Sequence, residues 1–252
     1  MDPREKYPEN TAGPCVLCDR MRTLVASHIV PEFWFKFVYD DKHRAYPVRF
    51  REGSFVQDFQ IQKGFRWPLM CQDCEGLLNT HVEQPVHSNI KGILSERTAE
   101  LLRPRELKLY LISIIWRCYW SGVRKGPLGI QPKAHYRLFA EMKREIRRAF
   151  TEPTTVPEDF CVTVAWFEAI NNAKDFSEIL QHPRVEIADG FEFFSLSLPV
   201  IRFLTVLSRS VVLEGRAEGL LDALTTTMPI VKMTDERRAS LAHFLKSVDR
   251  RV

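Results

Sequence analysis

No stretch of this 252-residue chain is long and apolar enough to suggest a membrane span. The longest apolar run, around Leu109 to Ile115, is interrupted by Ser113 and then by Arg117. The amino terminus, Met1-Asp2-Pro3-Arg4-Glu5-Lys6, lacks an apolar signal region, so the expectation is a cytoplasmic protein with no membrane partner. A phosphate-cradling glycine loop, a hydrolase serine elbow, internal repeats and low-complexity tracts are also missing, which argues against P-loop, serine-hydrolase and solenoid functions. Strong net charge is absent too. The formal value of +4, with a pI near 8.7, lies below the threshold of about 9 for a dedicated nucleic-acid binder. Hydrophobic content of 45% and charged content of 27% are ordinary globular values, fitting one large domain or two small ones.

Cysteine is scarce as well, with six residues, yet four of them form two matched pairs: Cys15-Val16-Leu17-Cys18 and Cys71-Gln72-Asp73-Cys74. A reducing compartment favours metal over disulfide, and thiolates two residues apart can take two corners of a zinc tetrahedron from one tight turn. The expectation is a structural Zn²⁺ held by Cys15, Cys18, Cys71 and Cys74; four unrelated buried cysteines is the competing reading. Cys118 and Cys161 have no nearby partner and read as core thiols. The stretch between the pairs, residues 19–70, is much longer than the roughly 12 to 20 residues of a compact finger. Within it lies Ser27-His28-Ile29-Val30-Pro31. Spacing alone leaves His28 open as a functional group or as an ordinary core or capping histidine.

Further elements follow from periodicity and turn residues. Glu32 to Tyr39 reads as a short helix, Tyr46 to Phe50 and Ser54 to Ile61 as strands joined at Glu52-Gly53, and a helix opens at Cys74 with Leu77, Leu78 and Val82 as its stripe. Arg44, Arg49, Arg51, Lys63 and Arg66, interleaved with Phe50, Phe55, Phe59, Phe65 and Trp67, suit either a phosphate backbone or a solvated one-sided hairpin. From about residue 89 the character changes. Glu106 to Ser121 is expected as a central core helix. Ala134 to Phe150 should be amphipathic, with Arg137, Lys143, Arg144, Arg147 and Arg148 outside a Leu138, Met142, Ile146 stripe. Strand character appears at Phe160 to Phe167 and Val185 to Leu198; Pro199 to Arg209 suits strand or buried helix, and Asp235 to Val248 a capped helix. His43, His87, His135, His182 and His243 belong to no recognisable constellation.

The cysteine pairs, Ser27-His28-Ile29-Val30-Pro31 and Leu69-Met70-Cys71-Gln72-Asp73-Cys74 together resemble the HNH nucleases, whose ββα-metal site is often built on a zinc-bound treble clef. The chain is also similar to a broad group of bacterial proteins that carry Ser-His-Ile-[Ile/Val]-Pro and Cys-x-x-Cys-Glu followed by an α-rich tail. The motif covers roughly the first third. The resemblance implies an α+β protein: a treble-clef, HNH-like zinc domain at 1–88, then a mainly helical domain with a small β-sheet at 89–252 for substrate, regulator or subunit binding. It further implies an endonuclease cutting nucleic acid, in the first place DNA, in bacterial defence or genome maintenance. His28 would be the general base, and Mg²⁺ or Mn²⁺ the catalytic ion. In such enzymes an Asp commonly precedes the base and an Asn or His follows the last cysteine; here Ser27 and Glu75 stand there. Glu75 then becomes the principal ligand of the catalytic ion, with Asn79, His81 or Glu83 from the same helix as supplements. A zinc module that binds nucleic acid without cutting it, and a protein-interaction adaptor, are the other classes open to this sequence. Residues 89–252 would meet a protein regulator or a second copy of the chain.

Overall fold

The structure, a computed structural model, describes residues 11–36, 39, 42, 44, 48–51, 54–57, 64–89, 104–123, 136–152 and the strand residues of a sheet between 162 and 231. For that sheet, and for residues 48–51 and 54–57, only the backbone is described. The molecule mixes helix and strand. β1 (Thr11–Pro14), β2 (Met21–His28) and β5 (Arg66–Cys71) form a three-stranded antiparallel sheet in the order β1-β2-β5. β3 (Val48–Arg51) and β4 (Ser54–Gln57) form a separate hairpin, and residues 46–47 and 58–61 of the expected strands lie outside the described residues. Of the basic and aromatic side chains read there, those of Arg49, Phe50, Arg51, Phe55, Phe59 and Lys63 lie outside the described set, whereas Phe65 and Trp67 are buried in the core and Arg66 turns to His28.

One irregularity decides the geometry around His28. β2 and β5 pair Val25 with Met70 but Ala26 with Pro68, which leaves Leu69 as an extra residue on β5. Pro68 has no N–H to give to the ladder, so a bulge is the natural accommodation. The Leu69 carbonyl is used elsewhere, accepting from the Val16 N–H at 3.0 Å. Beyond the bulge Ser27 faces Trp67 and His28 faces Arg66. Directly opposed residues project from the same face, so the bulge sets these partners.

The short helix α1 (Glu32–Phe35) follows Pro31 and buries Phe33, Trp34 and Phe35. It stops four residues before the expected end at Tyr39, whose N–H donates to the Phe35 carbonyl at 2.9 Å. Gly64 has φ +68, and a Cβ there would lie 2.8 Å from the Phe35 ring. Only glycine meets both conditions.

α2 (Gln72–Leu78) starts directly after Cys71, passes into a π turn at Asn79–Glu83, and remains helical through 84–89. Leu78, Val82 and Val86 form its buried stripe. In an unbroken α-helix, position 83 would have drifted roughly 80° around the axis from position 75. The wider π turn takes up part of that drift and keeps Glu75 and Glu83 on one side.

α3 (Pro104–Val123) is buried on every side from residue 106 to 119, as a central helix should be, and runs past the expected end at Ser121. α4 (Tyr136–Thr151) buries Phe139, Met142, Ile146 and Ala149 against it, with Phe139 stacked on Tyr119. A single apolar core joins Cys15, Leu24, Trp34 and Leu78 to Leu111, Trp116 and Ile146, and so continues across the expected boundary at residues 88 and 89. The remaining strands are β6 (Val162–Phe167), β7 (Arg184–Ala188), β8 (Phe191–Leu198), β9 (Ile201–Val206), β10 (Leu220–Leu221) and β11 (Ile230–Val231). They form a six-stranded sheet of order β10-β6-β9-β8-β7, with β11 parallel to β6. Of the two readings open for 199–209, strand holds at Ile201–Val206. The helix expected at Asp235 to Val248 and the thiol of Cys161 lie outside the described residues. Among the described residues no helix is long and apolar enough to cross a membrane.

Candidate metal centre and the histidine beside it

The turn between β1 and β2 carries Cys15 and Cys18, and the junction of β5 with α2 carries Cys71 and Cys74. The first turn closes through Cys15 N–H to the Arg20 carbonyl and Asp19 N–H to the Cys15 carbonyl, both 2.9 Å, with Asp19 at φ +64. Aspartate tolerates that left-handed conformation better than most residues. All four sulfurs lie within 4.8 Å of one another, and all four are free thiols. A zinc tetrahedron with Zn–S near 2.3 Å has edges of about 3.8 Å, so small rotations close the shell. These four cysteines can hold a metal ion such as zinc. Burial pushes the Cys15 and Cys74 thiols up. Burial would raise Cys18 too, but hydrogen bonds from the Arg20 backbone and the other three cysteines bring it down. Four thiolates in this space therefore need a cation among them.

His28 ends β2, on the strand whose Leu24 faces Cys71. Its Nε2 accepts from Arg66 Nε at 2.9 Å, which puts the imidazole proton on Nδ1. Glu32 Oε2 is 3.5 Å from the same Nε2 and 3.6 Å from Arg66 Nη2, so the guanidinium serves both groups. The His28 carbonyl accepts from Arg117 Nη1 at 2.7 Å, and the same nitrogen meets Glu83 Oε1 at 2.6 Å. Arg117 is 0% exposed and also donates to the Ser113 carbonyl and hydroxyl. A fully buried guanidinium is tolerated only when its donors are met in this way.

Glu75 lies under this group. Burial raises its carboxyl above the ordinary carboxylate range, opposed by Arg117, the Ser27 hydroxyl and Arg66, while Glu83 adds to the rise. Although Ser27 is close enough to act, neither its Oγ nor Glu75 Oε2 makes a hydrogen bond of ordinary geometry among the described residues. Two buried oxygens without donors are the arrangement a hard cation would satisfy. Asn79 and His81 are placed differently from the sequence expectation. Asn79 is exposed and accepts from Gln84 at 3.4 Å, and the His81 ring packs 5.7 Å from Phe150. Of the supplements, only Glu83 joins the cluster. His87 stacks on Phe33 in a packing role.

The sequence reading missed Arg117, which entered it only as a break in an apolar run, and missed the pairing of Arg66 and Glu32 with His28. An arginine in the middle of a helix that is otherwise apolar all round was the available signal, since such a charge must find partners. Against known protein families, curated proteins and solved structures, the chain shows no match.

Substituting Glu75→Gln should raise the melting temperature at pH 8. A carboxyl whose folded pKa is raised contributes most to stability below its ordinary pKa and loses that contribution as pH climbs through the raised value. The gain of the variant should therefore shrink as pH is lowered toward the ordinary carboxylate range. Melting curves of both zinc-loaded proteins across that interval test this, and a variant destabilised equally at every pH would reject it.

Proposed function

We propose that the chain is a metal-dependent, HNH-like endonuclease acting on DNA in a bacterial cytoplasm, with a treble-clef zinc site folding its amino-terminal part and residues 89–252 meeting a regulator, a partner or a second copy. The observation that carries the reading is His28 at the end of a strand, with its ring nitrogen held by Arg66, near a buried Glu75 Oε2 that has no hydrogen-bond donor among the described residues. The pairing of β2 with β5, and α2 following directly after β5, support the reading.

Chemically, Arg66 holds the His28 lone pair until a stronger anionic partner arrives. A phosphate draws the guanidinium to itself, because charge-assisted bidentate contacts exceed a bond to a neutral ring. Nε2 is then open to take a proton from the attacking water. The phosphorus–3′-oxygen bond breaks, and the departing oxygen takes a proton from solvent. Arg117 keeps the ring in place through the His28 carbonyl. Glu75 and Ser27 would hold Mg²⁺ or Mn²⁺, which neutralises charge on the phosphate when bound. Ser27 in place of the usual aspartate, and Glu83 committed to Arg117, favour a second reading: a zinc module that binds nucleic acid without cutting it.

His28→Ala is expected to abolish cleavage with zinc content and nucleic-acid binding intact. Wild type and variant are incubated with plasmid DNA, single-stranded DNA and RNA, in Mg²⁺, in Mn²⁺ and with neither. Equal cutting by the variant removes His28 from the mechanism; binding without cutting by either protein selects the second reading.

A further inference from the structure

On the other side of α2 lies a groove of about 550 Å³, inside the roughly 300–1,000 Å³ of ordinary ligand clefts. Cys74 and Leu77 face it, whereas Glu75 faces Arg117 and Ser27. Leu77 and Glu75 point roughly 160° apart on a helix of 3.6 residues per turn, so this is a separate place from the histidine cluster. The far wall is the carboxyl-terminal half of α4, which presents Arg144, Arg147 and Arg148. Residues three and four apart share a helix face, so three guanidiniums converge on one opening.

The charge is matched only in part, although Glu152 itself lines the groove. Glu152 accepts from Arg148 at 2.6 Å, and Glu145 lies 3.6 Å from Arg144. Arg147 has no ion-pair partner among the described residues. Apolar surface sits beside these cations: Phe150 is half-buried, Leu77 is 42% exposed, and Leu17 of the cysteine turn closes the end. Guanidiniums next to an aromatic and aliphatic wall match a strand that offers phosphates along one edge and flat bases along the other. An acidic protein segment would use the charge and leave the wall uncovered.

We propose that this groove binds the sugar-phosphate backbone of a nucleic-acid strand, as a grip separate from the histidine cluster, with Arg144, Arg147 and Arg148 on the phosphates. The proposal rests on the nucleic-acid part of the function above and is independent of whether the chain cuts.

The test uses the 252-residue chain as zinc-loaded His28→Ala protein without added Mg²⁺ or Mn²⁺, so that cleavage has no bearing on it. Binding of fluorescein-labelled single- and double-stranded DNA is followed by anisotropy over a salt series. Combined Arg144→Gln, Arg147→Gln and Arg148→Gln should weaken binding at least about tenfold and flatten the slope of log K against log salt by up to about one per arginine. Arg147→Gln alone, which disturbs no ion pair, should lower the slope by about one and covers the case of a triple variant that does not fold. Arg137→Gln, on the same helix outside the groove, should leave the slope unchanged. Unchanged binding in the groove variants, an equal effect of Arg137→Gln, or no DNA binding by the parent protein overturns the proposal. Displacement of DNA by polyglutamate at equal charge concentration, as effective as by unlabelled DNA, reassigns the groove to an acidic polypeptide and also overturns it.

Discussion

Substituting Cys74→Ser is expected to release the bound metal and unfold the region built on β1, β2, β5 and α2. Cys74 is buried in the first turn of α2, and the other three sulfurs come from the β1–β2 turn and the end of β5. A metal held there ties the β1–β2 turn to the junction of β5 and α2, adding to the strand pairing of β1, β2 and β5. Structural zinc contributes apparent energies of about 10–16 kcal/mol in finger peptides at neutral pH, and that energy is folding energy. The loss here should be smaller, because Leu78, Val82 and Val86 also anchor α2 to a core shared with α3 and α4. Zinc stoichiometry by mass spectrometry and a thermal melt read the outcome. Full zinc retention with an unchanged melt would reject the four-thiol site. Lowering the pH should release the metal from wild type for a related reason: burial already disfavours the thiolates of Cys15 and Cys74, so protons compete well once they are abundant.

Substituting Arg117→Met should cost about 3–5 kcal/mol of stability, the usual range for removing one partner of a buried ion pair. Methionine fills much of the volume of the arginine stem, so packing loss is a minor part. What remains is Glu83 without its donor, Glu75 without the nearest opposing charge, and the His28 carbonyl without its hydrogen bond. Adding Glu83→Gln to Arg117→Met should recover part of the loss, because the stranded carboxylate is then neutral. Arg117→Lys should recover little, since an ammonium cannot reach Glu83, His28 and Ser113 together as the planar fork does. Urea denaturation midpoints of the three variants provide the check. An Arg117→Met protein as stable as wild type would show that Glu83 and Glu75 find other partners.

The central helix and the amphipathic α4 were legible because their apolar periods are long and regular. The strands were legible in place: β3 and β4 overlap the two stretches expected. The meeting of the four cysteines was legible, because thiol spacing carries metal geometry directly. Around His28, by contrast, the helix periodicity pointed to Asn79 and His81 as readily as to Glu83. The π turn at Asn79–Glu83 separates these candidates, and nothing in the 3.6-residue period announces it.

By itself the sequence determined the four thiols, the alternation of short strands with long apolar helices, and the position of His28 between the cysteine pairs. Only the tertiary structure decided which groups meet that histidine. Arg66 reaches it because a bulge at Leu69 shifts the register of β5 against β2, and Arg117 because α3 packs across residues far away in the chain. Local spacing sets elements within a few residues; partners separated by 38 and 89 positions are set by how a shared core closes.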